Sequence, residues 1–74
     1  MKIPVALTTE FIKLDTLLKL AGVTDSGGQA KHLILEGLVR LNGEVVLQRG
    51  RKVRPGDVVD LSDPAARIIV SAES

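Results

Sequence analysis

Cysteine is absent, so neither a disulfide framework nor a thiolate metal site can hold this chain together. Histidine occurs once, at His32, and a zinc site would have to be completed by carboxylates, an unusual ligand set. No metal and no cofactor are expected. Aromatic residues are nearly missing, with no Trp, no Tyr and a single Phe, Phe11. No apolar run approaches the roughly 20 residues that a membrane helix needs. The start, Met1-Lys2-Ile3-Pro4-Val5-Ala6-Leu7, is too short and too broken by proline to read as a signal peptide. A Walker loop, a G-x-G-x-x-G turn and a nucleophile elbow are also lacking, so catalysis has no foothold and no enzyme is expected. The expectation is a cytoplasmic monomer that does not engage membranes.

What is present fits one small domain. The 74 residues are treated as a single unit, 1–74, with a core over about 11–61, a short N-terminal arm and a C-terminal strand. A domain of this size buries roughly 60% of its unfolded surface, so its core is thin. The 45% hydrophobic content, mostly Leu, Val and Ile, suffices for it. Net charge is only +1, but it is unevenly spread. Arg40, Arg49, Arg51, Lys52 and Arg54 stand against the single acid Glu44, and Asp57, Asp60 and Asp63 follow. Charge segregated in this way can form a basic face that attracts polyanions. The plainer reading is a solvated strand edge whose cations deter edge-to-edge association.

Two helices are written first. Leu14, Leu17, Leu18 and Ala21 follow the i, i+3, i+4, i+7 stripe, with Asp15 in the first turn and Gly22 placed to end the helix. Ser26 and Gln29 form an S-x-x-Q capping box, Ala30, Leu33 and Ile34 supply the next buried stripe, and Gly37 closes it. The remainder reads as strands. Leu38–Leu41 and Glu44–Leu47 flank Asn42-Gly43, the strongest short hairpin signal. Arg54-Pro55-Gly56-Asp57 reads as a type II turn leading into Val58–Leu61. Arg67–Val70 adds a last strand after Pro64, and Glu10-Phe11-Ile12 a short edge strand before the first helix. The fold class is α+β, with two packed short helices followed by a small, mostly antiparallel twisted sheet.

Lys13-Leu14-Asp15, Leu17-Leu18, Ser26, Gln29-Ala30-Lys31, Leu33-Ile34, Glu36-Gly37, Val39, Leu41-Asn42-Gly43 and Val53-Arg54-Pro55-Gly56-Asp57-Val58-Val59 occur here in one order and spacing. This composite resembles the RNA-binding domain named after small-subunit ribosomal protein S-four, the alpha-L motif, from about Phe11 to Leu61. Ser26-Gly27-Gly28-Gln29-Ala30-Lys31 and the Ile68-Ile69-Val70 tail resemble above all its small bacterial stand-alone form, the YbcJ-like proteins. The resemblance implies a non-catalytic module for structured RNA, ribosomal or transfer RNA, in contact with or near the ribosome. One departure stands out. Many relatives place an arginine after the serine that opens the second helix, and here that position is Gly27, followed by Gly28.

The candidate contacts follow. Gly27, Gly28 and Gln29 open a helix whose bare N–H groups attract phosphate, and the alternative is that the glycines simply make a tight link between helices. Lys31 lies one turn further on the same face. Lys13 fills a position where relatives often carry a basic residue. Arg40 projects from the hairpin and Arg49, Arg51, Lys52 and Arg54 extend the basic tract, with Arg40, Lys52 and Arg54 expected to share a surface. Asn42 reads first as a turn former and only then as a contact. Asp57, Asp60 and Asp63 lack the pattern of a calcium loop and read as a solvated sheet end. With Phe11 alone, no stacking platform can be built, so recognition must rest on phosphates, 2′-hydroxyls and RNA shape. Two other readings stay open: duplex DNA binding by the helix pair, and a protein-interaction module of the same fold whose RNA surface has decayed.

Overall fold

The computed structural model describes residues 1–62 and 65–73. Its elements are β1 (Lys2–Leu7), β2 (Ile12–Lys13), α1 (Leu14–Leu20), α2 (Gly27–Leu35), β3 (Val39–Leu41), β4 (Glu44–Val45), β5 (Lys52–Val53), β6 (Val58–Ser62) and β7 (Ala65–Ala72). Five strands form one sheet in the order β1-β7-β6-β3-β4, and β2 pairs with β5 in a separate two-stranded sheet. All pairings are antiparallel except β1 with β7. The expected α+β class, two short packed helices and a mostly antiparallel sheet, is what the chain adopts. Asp63, grouped by sequence with Asp57 and Asp60, and Pro64 lie outside the described residues.

The helices end where their sequences direct. Ala21 is the C-cap of α1, and Gly22 takes the left-handed conformation at φ +78°. Ser26 caps α2, its hydroxyl accepting the Gln29 N–H at 3.2 Å. The reciprocal arm differs from the expected box, because Gln29 Oε1 accepts from the N–H of Asp25 (2.8 Å), one residue before the cap. Leu14, Leu17 and Leu18 of α1 and Ala30, Leu33 and Ile34 of α2 are buried against one face of the large sheet. Val39, Leu41, Val59, Leu61, Ile68 and Val70 point inward from that face.

The segment expected as an N-terminal arm forms strand β1. It pairs with β7 along its whole length, from Lys2 against Arg67 to Leu7 against Ala72. Val5 and Leu7 are buried, as are Ile68 and Val70, so the core reaches past 11–61 at both ends. Pro4 is compatible with this strand for a geometric reason. The Arg67 N–H bonds to the Met1 carbonyl (2.8 Å) and the Glu73 N–H to the Leu7 carbonyl (2.9 Å), so odd-numbered residues turn their backbone groups toward β7. Pro4 therefore faces the open edge, where a missing N–H costs no ladder bond and blunts the edge against further pairing.

The two turns of the sheet are clamped to each other. Asn42 and Gly43 both adopt positive φ, +51° and +88°, as the hairpin requires. The Asn42 side chain then donates to Asp57 Oδ1 (3.0 Å) and accepts the Val58 N–H (2.9 Å). Asp57 Oδ2 accepts the Arg54 N–H at 2.8 Å, closing the Pro55-Gly56 turn. Asp57 is thus a structural acceptor that ties two loops together. Asn42→Ala loses both bonds and a residue tolerant of positive φ, and is expected to cost about 1–3 kcal/mol. A denaturant titration with unchanged slope and lowered midpoint is the check. A midpoint equal to the parent's would show that the clamp contributes nothing.

Candidate functional site

The short β2–β5 sheet builds the most densely cationic region. Ile12 faces Val53 and Lys13 faces Lys52. Ile12 and Val53 turn inward, and the two lysines are exposed. The ladder continues beyond the strands, with the Leu14 N–H on the Arg51 carbonyl (2.9 Å) and the Asp15 N–H on the Arg49 carbonyl (3.1 Å). Because Leu14 and Arg51 are hydrogen-bonded opposite one another, Lys13 and Lys52 form the non-hydrogen-bonded kind of pair, in which side chains stand closer. The backbone of Arg49 and Arg51 is thereby tied to the first turn of α1, next to the Lys13–Lys52 pair. Exposed Arg54 follows just past Val53.

Nearby acids do little to neutralise this cluster. Asp15 Oδ1 accepts from the Thr16 N–H (2.7 Å) and hydroxyl (3.4 Å), within its own turn. Among the described residues Arg67 pairs with Asp60 (2.7 Å) and the His32 imidazole lies 3.8 Å from the Glu36 carboxylate, and neither contact involves a cation of the cluster. The Lys52 ammonium lies 4.8 Å from the centroid of the Phe11 ring, which holds it over an aromatic face. Like charges directly opposite in an antiparallel pair destabilise a sheet. The Lys13–Lys52 pair therefore costs stability in the free protein.

The other expected contacts fall into separate groups. Gly27, Gly28, Gln29 and Lys31 are exposed at the start of α2, which follows the last turn of α1 rather than its first. Neither glycine has positive φ, and a Cβ at Gly27 would meet nothing within 4 Å, while one at Gly28 would touch only Ser26 Oγ at 3.9 Å. A steric requirement for a tight link therefore does not explain the two glycines. Gln29 spends its carbonyl oxygen on Asp25, and Asn42 spends its amide on the turn clamp.

The expectation that Arg40 shares a surface with Lys52 and Arg54 is corrected. Arg40 alternates with buried Val39 and Leu41, so it leaves the face of the large sheet opposite the helices. Its cross-strand neighbours there are Asp60 and Val45, and Asp60 is bonded to Arg67. Lys52 belongs to the other sheet, beside Lys13. Alternation along one strand reveals which residues share its faces, not which sheet the strand joins. Arg49, expected only as part of the basic tract, and Phe11, which is not among the expected contacts, lie beside the β2–β5 ribbon. The signal for Arg49 was its place in the basic tract, but its attachment to α1 runs through a backbone carbonyl.

Among the described residues no three His, Cys, Asp or Glu side chains gather as a metal site, and no helix is long and apolar enough to cross a membrane. The arrangement is thus a small α+β scaffold that presents cations, without ion-pair partners among the described residues, from a two-stranded ribbon at the foot of a helix, beside a second helix that opens on bare amides.

Comparison with known proteins agrees with that class. The S4 domain matches residues 5–69, and the chain belongs to this family. It is 47% identical over 58 residues to the probable ribosome maturation protein RlbA of Bacillus subtilis (strain 168), covering 78% of this chain and 82% of that protein. It is 34% identical over 58 residues to YbcJ of Escherichia coli (strain K12), covering 78% and 83%. Identity is 32% over 62 residues to the small ribosomal subunit protein uS4 of Maridesulfovibrio salexigens, covering 84% of this chain and 30% of that protein. The solution structure of E. coli YbcJ, described as an alpha-L motif involved in RNA-binding, superimposes with a TM-score of 0.61 at 29% identity, over 92% of this chain and 85% of that one.

Proposed function

We propose that this protein is a non-catalytic RNA-binding module that grips structured RNA, ribosomal or transfer RNA, by its phosphate backbone, and works in the cytoplasm as a monomer on or near the assembling ribosome. The observation that carries the reading is the Lys13–Lys52 pair, two exposed like charges held in register with no acidic partner among the described residues. A polyanion turns that cost into a binding contribution, because each phosphate neutralised releases counterions. Arg49, Arg51 and Arg54 extend the patch, and Lys31 with the Gly27 and Gly28 amides offers a second point of attachment. Family membership supports the same reading, since RlbA is described as a probable ribosome maturation protein and YbcJ as carrying a motif involved in RNA-binding. The monomer is supported by Pro4 on the β1 edge and by the two-residue β4 at the other.

Fluorescence anisotropy with a structured ribosomal RNA fragment, a DNA duplex of equal length and single-stranded RNA tests the proposal. The structured RNA is expected to bind tightest. Equal and negligible binding to all three would leave the protein-interaction reading in its place, and preference for the duplex would favour DNA.

A further inference from the structure

A cleft of about 540 Å³ lies beside the β3–β4 hairpin, and the phosphate-gripping surface does not account for it. Buried Leu41 and Val46, with the more exposed Val45 and Leu47, contribute its apolar lining. Gln48 and Arg51 line it as well, brought close by the turn in which the Arg51 N–H bonds to the Gln48 carbonyl (3.2 Å). Its size lies in the range of about 300–1,000 Å³ typical of small-ligand sites. Among the described residues, neither the Gln48 amide nor the Arg51 guanidinium makes a side-chain hydrogen bond. Both are free to meet a ligand.

Arg51 decides what that ligand is. Its backbone is tied to the first turn of α1, with Lys52 and Arg49 on either side in sequence, so the cleft opens directly onto the cationic cluster. Glu44 also borders the cleft and disfavours a phosphate inside it, while phosphates are attracted next door. An occupant that is largely apolar on its faces, polar at its edge and attached to a polyanion matches this lining. We infer that the cleft takes one unpaired nucleobase of the bound RNA, packed on its apolar lining with its edge toward Gln48 and Arg51. This rests on the RNA-binding reading and adds a preference for RNA with an extruded base. It replaces the aromatic stacking that the sequence cannot supply with an aliphatic slot.

Two RNA hairpins separate this inference from the reading beneath it, one with a single-nucleotide bulge and one with an abasic residue at the bulge. The bulged base is expected to improve affinity about five- to tenfold, at the weak end of base-stacking contributions because the apolar lining is aliphatic. Leu47→Ser with Gln48→Ala, both exposed positions, should abolish that preference and leave the salt dependence unchanged. Lys13→Ala should weaken both hairpins alike and keep their ratio. Equal, salt-dependent affinity of the parent protein for the two hairpins would overturn the base slot while sparing phosphate binding. Absence of binding to either would overturn both.

Discussion

Lys13→Glu is expected to make the protein more stable and a far poorer RNA binder. The substitution converts a like-charge cross-strand pair into an opposite-charge one against Lys52, a change of about 0.2–1 kcal/mol in favour of the fold. Lys13 is also the N-cap residue of α1, where a carboxylate complements the helix dipole and an ammonium opposes it. Lys52 keeps its place over Phe11. Thermal melting should therefore shift upward by a few degrees, since about 1 kcal/mol moves the midpoint of a domain this size by roughly 4–8 °C. Binding moves the other way. Removing one charged contact and engaging a second forfeits about 1.5 kcal/mol each, or roughly a hundredfold in affinity. The slope of log affinity against log salt should fall by about two. A variant that binds as well as the parent would show that this pair is merely an unfavourable detail of the surface.

The second large effect lies in the core. Leu17 has no exposed surface, whereas Leu20, one turn further along the same helix, is 61% exposed. Leu17→Ala is expected to cost 2–5 kcal/mol, because the vacated space between α1 and the sheet cannot collapse fully. At about 3 kcal/mol the midpoint falls by roughly 12–24 °C, a large part of the total stability of so small a domain. Leu20→Ala should stay within about 0.5 kcal/mol of the parent. Parallel thermal melts of the two variants make the comparison, and similar losses would mean that α1 does not pack as described.

The parts of this fold governed by local rules were legible in the sequence. The α1 stripe, the Ser26 cap, the Asn42-Gly43 hairpin and the Pro55-Gly56 turn each depend on residues within a few positions of one another, and each formed as written. Strand β1 was harder because its partner β7 lies at the other end of the chain. Ile3, Val5 and Leu7 do alternate with Lys2, Pro4 and Ala6, but proline in a short run argues against a central strand. Only the pairing reveals that this strand is at an edge. The two residues each of β2 and β5 are too few to carry any periodic signal. They nonetheless decide the site, since they bring Lys13 to Lys52 and leave Arg40 on another sheet. A list of cations was readable from the sequence, and their grouping was not, because it is set by backbone hydrogen bonds between segments more than thirty residues apart.

Amide chemical-shift mapping by NMR, with a structured RNA titrated into the labelled protein at moderate salt, examines that grouping most directly. The largest shifts are expected at residues 11–15 and 49–54, with a second set at 27–31 and little change at Arg40, Asp60 and Arg67. Shifts concentrated on those three, with the Lys13–Lys52 ribbon silent, would place the RNA on the far side of the sheet and contradict the account.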